Sequence, residues 1–320
     1  GITSVNHPNA INNDAKDLWK GLTYDYQEHV TISPNGSSDR IDDTNETDIR
    51  KKIFIEDLRT RKDWKRDGDK MVALKSLKDS RDISKQFLNE IKSHLQIYIY
   101  YVIQCFGITQ DPITKNYMMV LRYCENGSLH KFISKHENIA YENKINDLSY
   151  MAKGLNDIHN AGKIHKDLHP GNILLTAYIT PYISDLGMCQ PVNQPSIKEG
   201  IYGVLPYIDP EVLRGHQYTK SSDIYSLGII MNEYFSEELP YANKSHDIYL
   251  AIEICGGQRP KISEDTPKPL ANLIKRCWDP RVENRPTAKQ LYQTLHKLDI
   301  ERHQTNSDIN IQMQEYVRVR

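Results

Sequence analysis

The sequence contains no apolar run of the roughly 18 residues or more that a membrane-spanning helix needs. Its first residues, Gly1-Ile2-Thr3-Ser4, carry neither a charged leader nor an apolar segment of the secretory kind. Both absences predict a soluble chain that stays in the cytoplasm, with no membrane as partner. Cysteine is sparse as well. The five residues, Cys105, Cys124, Cys189, Cys255 and Cys277, form no C-x-x-C and have no histidine at ligand spacing. A zinc site and a disulfide framework are therefore not expected, and the thiols read as reduced. An excess of either charge is also missing, since 41 Lys and Arg face 42 Asp and Glu. No bulk field then favours nucleic acid as a partner.

With 320 residues the chain can bury one large core or two modest ones. Residues 1–50 are rich in Asn, Asp, Ser and Thr, with apolar residues too scattered to make a face, and are expected to be largely disordered. A domain is expected from about 51 to 299, and a polar tail from 300 to 320. Arg66-Asp67-Gly68-Asp69 reads as a hairpin turn and Met71 to Leu77 as a strand with Met71, Ala73, Lys75 and Leu77 on one face. The stretch from Asp82 to about Leu95 predicts a helix whose apolar stripe is Ile83, Phe87 and Ile91. Glu90 lies along that stripe, and a carboxylate aimed at an apolar face needs a cation, for which Lys75 is the candidate. Tyr98 to Phe106 and Tyr117 to Tyr123 read as further strands, and about Asn143 to Asn160 as a long helix that Gly162 would cap. Later helices are signalled by Ser222 to Gly228, by Leu270 to Cys277, and by the capping box of Thr287 and Gln290.

The chemistry concentrates in His165-Lys166-Asp167-Leu168-His169-Pro170-Gly171-Asn172, followed at once by the apolar run Ile173-Leu174-Leu175. An Asp with an Asn five positions later, on a loop entering a short buried strand, lets a base and a metal ligand share one rigid turn. Phosphoryl transfer needs little more than placing a hydroxyl, a triphosphate and its Mg²⁺. Asp167 would then orient and deprotonate the hydroxyl, and Asn172 would hold the Mg²⁺. The chain returns through Tyr182-Ile183-Ser184 to Asp185-Leu186-Gly187.

These stretches resemble the H-R-D-L-x-x-x-N loop and the D-F-G triplet of eukaryotic protein kinases, with Lys166 for the usual Arg and Leu186 for Phe. Met71-Val72-Ala73-Leu74-Lys75 resembles the V-A-I-K strand, with Glu90 as its helical partner, and Gly203 to Glu211 resembles G-T-x-x-Y-x-A-P-E, with Asp209 replacing Ala. Arg276-Cys277-Trp278 and Arg285-Pro286-Thr287 lean toward the tyrosine-kinase-like group. The resemblance implies an α+β bilobal fold, with a small β-rich N-lobe over about 51–123 and a helical C-lobe over about 124–299. It implies ATP with Mg²⁺ held by Asn172 and Asp185, Lys75 on the α- and β-phosphates, and a protein as substrate. Adenine would lie between Ala73 and Leu174, with Leu121 as gatekeeper and backbone contacts at Arg122, Tyr123 and Cys124. Glu211 would pair with Arg285. Asp223 would cap its helix and also bond the catalytic loop. Ser196 and Tyr202 are the hydroxyls for a regulatory phosphate, which Lys166 would clamp less well than Arg because an ammonium makes no bidentate bond.

Two features depart from the family's pattern. Ser/Thr kinases usually carry Lys and Thr, touching each other and the catalytic Asp, where this chain has His169 and Val204, and neither of these can do the original job. The first two strands should fall at about 50–66, yet Lys51 to Trp64 contains no glycine, so the G-x-G-x-x-G-x-V turn that covers the phosphates is not found. An active Ser/Thr kinase is the reading adopted. A pseudokinase scaffold is the alternative. A small-molecule phosphotransferase with an H-G-D-x-H-x-x-N loop fits less well, because those enzymes lack counterparts of Glu211 and Arg285.

Overall fold

The computed structural model describes residues 29–32, 51–56, 66–76, 90–94, 97, 100–111, 113–135, 141–192, 203–305 and 307–319. The chain divides into two compact units, one made of Gly1–Tyr98 with Ile103–Cys124 and the other of Ile99–Val102 with Glu125–Arg320.

The first unit is built on an antiparallel sheet of β1 (His29–Ile32), β2 (Lys51–Glu56), β3 (Arg66–Ser76), β4 (Cys105–Gln110) and β5 (Tyr117–Arg122) in the order β1-β2-β3-β5-β4. Alternation in β3 decides its faces: Val72 and Leu74 pack with Met118 and Val120 on one side. The opposite side carries Ala73 and Lys75, whose cross-strand partners are Leu121 and Met119. Ile91, in the helical residues 90–94, packs on Met119 there. Ile83 and Phe87, the other members of that stripe, lie outside the described residues.

Three expectations are corrected in this unit. β1 is a four-residue strand inside the stretch expected to be largely disordered, and β2 with β1 replaces the two strands expected at about 50–66. Their connection is therefore residues 33–50, outside the described residues, and its sequence holds one glycine, Gly36. Arg66 to Asp69 is not a turn but the start of β3, paired with β2 across a register shift between Phe54 and Glu56. Gly68 marks that irregularity, as a strand glycine commonly does. Among its described residues, the apolar run from Tyr98 gives a strand only from Cys105. Val102 and Ile103 are apolar because they are buried, and Val102 makes a single parallel bridge to Ile183.

The second unit is helical: α1 (Leu129–Lys135), α2 (Tyr141–Asn160), α3 (Pro210–Leu213), α4 (Lys220–Ser236), α5 (Ile248–Cys255), α6 (Lys268–Cys277), α7 (Ala288–Glu301) and α8 (Asp308–Val319). Between α2 and α3 run four short strands, β6 (Lys163–Ile164), β7 (Ile173–Leu175), β8 (Pro181–Ile183) and β9 (Gln190–Pro191), paired β6 with β9 and β7 with β8. α2 buries Ile145, Leu148, Ala152 and Leu155, the helical spacing read from sequence, and packs against α4 and α7. Every residue of α4 from Ser222 to Ser236 is buried. α4 meets α6 at Gly228, where a β-carbon would stand 2.6 Å from that of Cys277.

The cap of α4 is Thr219, in a capping box with Ser222, so Asp223 has no capping role. Residues 300–320 also differ from the expected tail, because α8 folds back with Ile309 buried. Gln312 of α8 accepts a hydrogen bond from the Lys268 amide at 2.8 Å. Among the described residues no helix is long and apolar enough to cross a membrane.

Candidate active site

The loop from His165 to Asn172 joins β6 to β7, and its backbone is held from below by a single buried carboxylate. Asp223 of α4 accepts from the His165 amide at 2.9 Å and the His159 ring at 2.8 Å through Oδ2, and from the Lys166 amide at 3.0 Å through Oδ1. Those bonds stabilise Lys166 at φ 73°, a left-handed conformation unfavourable for a residue with a β-carbon. The His165 ring is fully buried and used at both ends. Its Nδ1 accepts from the Asp167 amide at 3.3 Å, which puts the proton on Nε2 to donate to the Ser184 carbonyl at 3.0 Å. One imidazole thus fixes Asp167 and the residue before Asp185.

Asn172 completes the connection. Its Nδ2 donates to the Asp167 carbonyl at 2.8 Å and to Asp167 Oδ2 at 3.1 Å. Its own carbonyl accepts from the Ser184 amide at 2.8 Å and the Ser184 hydroxyl at 2.9 Å. Asp185 sits at φ 57° with its carboxylate receiving the Gly187 amide, above a fully buried Leu186. Asp167 and Asn172 are therefore joined directly by hydrogen bonds, and Asp185 follows Ser184, which both His165 and Asn172 bind. Nδ2 of Asn172 is engaged with Asp167, and the Asn172 amide oxygen and the Asp185 carboxylate are hard oxygen donors. No cluster of three or more His, Cys, Asp or Glu suited to a metal occurs among the described residues. Two oxygen donors of this kind suit Mg²⁺ that takes its remaining ligands from phosphate and water.

In the first unit Lys75 Nζ and Glu90 Oε1 are 2.7 Å apart, with Glu90 buried. The pairing expected from the stripe is present. Ala73 and Leu121 are half-buried partners across β3 and β5. Cys124 is buried and Tyr123 half-buried, while the Arg122 amide donates to the Gln104 carbonyl within the unit. That amide is thus engaged, while the Arg122 carbonyl is a separate backbone group. Leu174, in β7 of the second unit, is half-buried.

Arg285 is fully buried at its side chain and forks between two carboxylates, Glu211 at 2.8 Å and Asp209 at 3.0 Å. The first contact was expected and the second was not. Burial pushes the Asp209 carboxyl up to about 6, its neighbour Glu211 adding to the shift and Arg285 opposing it. Burial would also raise Glu211, but its hydrogen bonds with Asp209 and Arg285 outweigh that and hold it down at about 2. Lys166 donates to Gln190 Oε1 at 3.2 Å and lies 5.2 Å from the centre of the Tyr218 ring. Ser196 and Tyr202 lie outside the described residues.

His169 stands where Lys is usual, and its Nε2 is 3.8 Å from Asp167 Oδ2, beyond hydrogen-bond distance, with its ring 6.2 Å from that of Tyr207. Gly203 closes the other side, where a β-carbon would be 3.6 Å from Asp167 Oδ1. Val204, half in solvent, has no such role. His159 and Gln190 carry no signal in their local sequence, because their partners are distant along the chain.

The sequence matches the protein kinase domain family over residues 59–296. It is 28% identical over 205 residues to RGS domain-containing serine/threonine-protein kinase A of Dictyostelium discoideum, covering 62% of this chain and 18% of that one. It is 28% identical over 246 residues to serine/threonine-protein kinase STY17 of Arabidopsis thaliana, covering 72% and 42%. Receptor-interacting serine/threonine-protein kinase 4 of Mus musculus is 27% identical over 220 residues, covering 64% and 27%. The chain spans less than half the length of each of these relatives. The match begins just after β2, so β1 and β2 precede it, and the loop, the triplet and the Arg285 fork all fall within it. The chain belongs to the protein kinase domain family.

Proposed function

We propose that this chain transfers the γ-phosphoryl group of ATP to Ser or Thr hydroxyls of a protein substrate. The observation that carries this reading is the bonding of Asp167 to Asn172, on a loop whose backbone is tied to Asp223. Asp167 accepts the proton of the acceptor hydroxyl as the phosphorus–oxygen bond forms. Asn172 and Asp185 would hold Mg²⁺, which when bound neutralises charge on the phosphates. Lys75, oriented by Glu90, takes the α- and β-phosphates. Ala73, Leu121 and Leu174 flank adenine, with Arg122, Tyr123 and Cys124 offering backbone. The Arg285 fork holds Glu211 and, through it, the end of the segment in which Ser196 and Tyr202 would receive a regulatory phosphate.

The three relatives described above are named as serine/threonine-protein kinases, which supports Ser and Thr as acceptors. Because residues 33–50 hold a single glycine, the grip on the phosphates falls mainly on Lys75 and the metal ligands. The complete set of Lys75, Glu90, Asp167, Asn172 and Asp185 weighs against a non-catalytic scaffold. The test is phosphate incorporation by the purified chain with Mg-ATP and a generic protein acceptor, read by intact mass and radiolabel beside Asp167→Asn. Incorporation falling on the order of 10²-fold or more in the variant is expected. Incorporation no higher in the wild type than in the variant refutes the reading.

A further inference from the structure

His169 occupies the loop position nearest the Asp167 carboxylate, and two observations define what it can do there. The Gly171 amide donates to His169 Nδ1 at 3.1 Å. A nitrogen that accepts an N–H carries no proton, so the ring is neutral and its hydrogen is on Nε2. The second observation is steric. A β-carbon on Gly171 would lie 2.6 Å from His169 Cε1 and 2.8 Å from Nδ1, so the imidazole rests in a seat that only glycine leaves open.

The protonated nitrogen faces Asp167 Oδ2 at 3.8 Å, the same oxygen that receives Asn172 Nδ2 at 3.1 Å. Asn172 donates to Oδ2, and the His169 N–H faces the same oxygen from beyond hydrogen-bond distance, a separation of the kind that catalytic contacts often close when substrate binds. Oδ1 is then the oxygen for the acceptor hydroxyl, on the side lined by Gly203. We propose that His169 is a positioning residue for phosphoryl transfer, a neutral imidazole whose Nε2–H closes on Asp167 Oδ2 when substrate is bound and so aims Oδ1 at it. This rests on the kinase reading above. It differs from a lysine at the same place, which would bring a positive charge and three donors that could reach phosphate directly.

The distinction is testable by separating turnover from nucleotide affinity. His169→Ala should lower kcat by on the order of 10- to 100-fold, the scale of a misplaced reactive group, with the KM for ATP little changed. His169→Gln, which sets a neutral N–H near the place of Nε2, should recover most of that loss, and His169→Asn, whose amide reaches only to Nδ1, should not. Gly171→Ala should lower kcat in the wild-type background and have much less effect when combined with His169→Ala, because both changes remove the same contact. Nitrogen-detected NMR of the imidazole in the full chain should report the Nε2–H tautomer at neutral pH, a readout independent of turnover. An unchanged kcat in His169→Ala, a rise in KM for ATP with kcat preserved, or an Nδ1–H or doubly protonated ring would each overturn the assignment. A wild-type chain that incorporates no phosphate defeats the kinase reading instead, and the NMR tautomer still decides the geometry of His169.

Discussion

Glu233 lies buried in α4, and its Oε2 accepts the Tyr207 hydroxyl from the segment that leads to Asp209. Burial pushes its carboxyl up from 4.5 to about 7, against the lowering effect of the Tyr207 bond. The native chain therefore keeps a proton that the unfolded chain releases. Stability contributed at this site is present at low pH and falls as pH rises through the window from about 4.5 to 7. Each such proton changes unfolding free energy by about 1.4 kcal/mol per pH unit. Glu233→Gln keeps an acceptor for Tyr207 and removes the titration, so the stability difference between wild type and variant should widen against the wild type as pH rises. Denaturant midpoints measured for both across pH 5 to about 8 would check this, and a flat difference would refute it. At this scale the sequence discloses pairs whose two members each sit in a recognisable pattern. Lys75 and Glu90 were legible because a strand alternation and a helical stripe each placed one partner. Asp209 and His169 were not, since both stand where another residue type is usual and only the fold reveals that Arg285 and Asp167 are within reach.

α8 is an element missed by reading residues 300–320 as a polar tail. Its single buried aliphatic side chain among described positions is Ile309, and Ile309, Met313, Tyr316 and Val317 stand at i, i+4, i+7 and i+8. That is helical spacing, diluted by the Asn, Gln, Glu and Arg residues between them. The helix is nevertheless anchored: Asn310 Nδ2 donates to the Arg302 carbonyl, and Gln312 caps the start of α6 through the Lys268 amide. Ile309→Ala should destabilise the second unit by about 2–4 kcal/mol, the range for truncating a buried isoleucine. Thermal unfolding checks it, and a change below about 0.5 kcal/mol would mean that α8 contributes little to the core. Elements with long periodic faces gave no such difficulty. α2 was legible because Ile145, Leu148, Ala152 and Leu155 repeat over several turns. β1 and the first half of β3 were not, because their pairing depends on a partner strand and on a bulge rather than on local composition.

At the scale of the whole molecule, the family was legible because its motifs occur in order, while the two strands that precede β3 were misplaced for want of a glycine signature. Nucleotide binding offers a global measurement. Mg²⁺ with a non-hydrolysable ATP analogue at about 100 times its dissociation constant should stabilise the chain by about 2.7 kcal/mol. Asp185→Asn should abolish most of that gain if Asp185 holds the metal, and an unchanged gain would remove Asp185 from that role. The carboxylate of Asp223 has one more consequence. The amides of His165 and Lys166 belong to an irregular loop, yet their acceptor lies on a helix buried along nearly its whole length. Their deuterium exchange cannot proceed through local fraying and must wait for α4 itself to open. Two loop amides next to the reacting Asp would then rank among the slowest-exchanging hydrogens in the protein, keeping time with global unfolding.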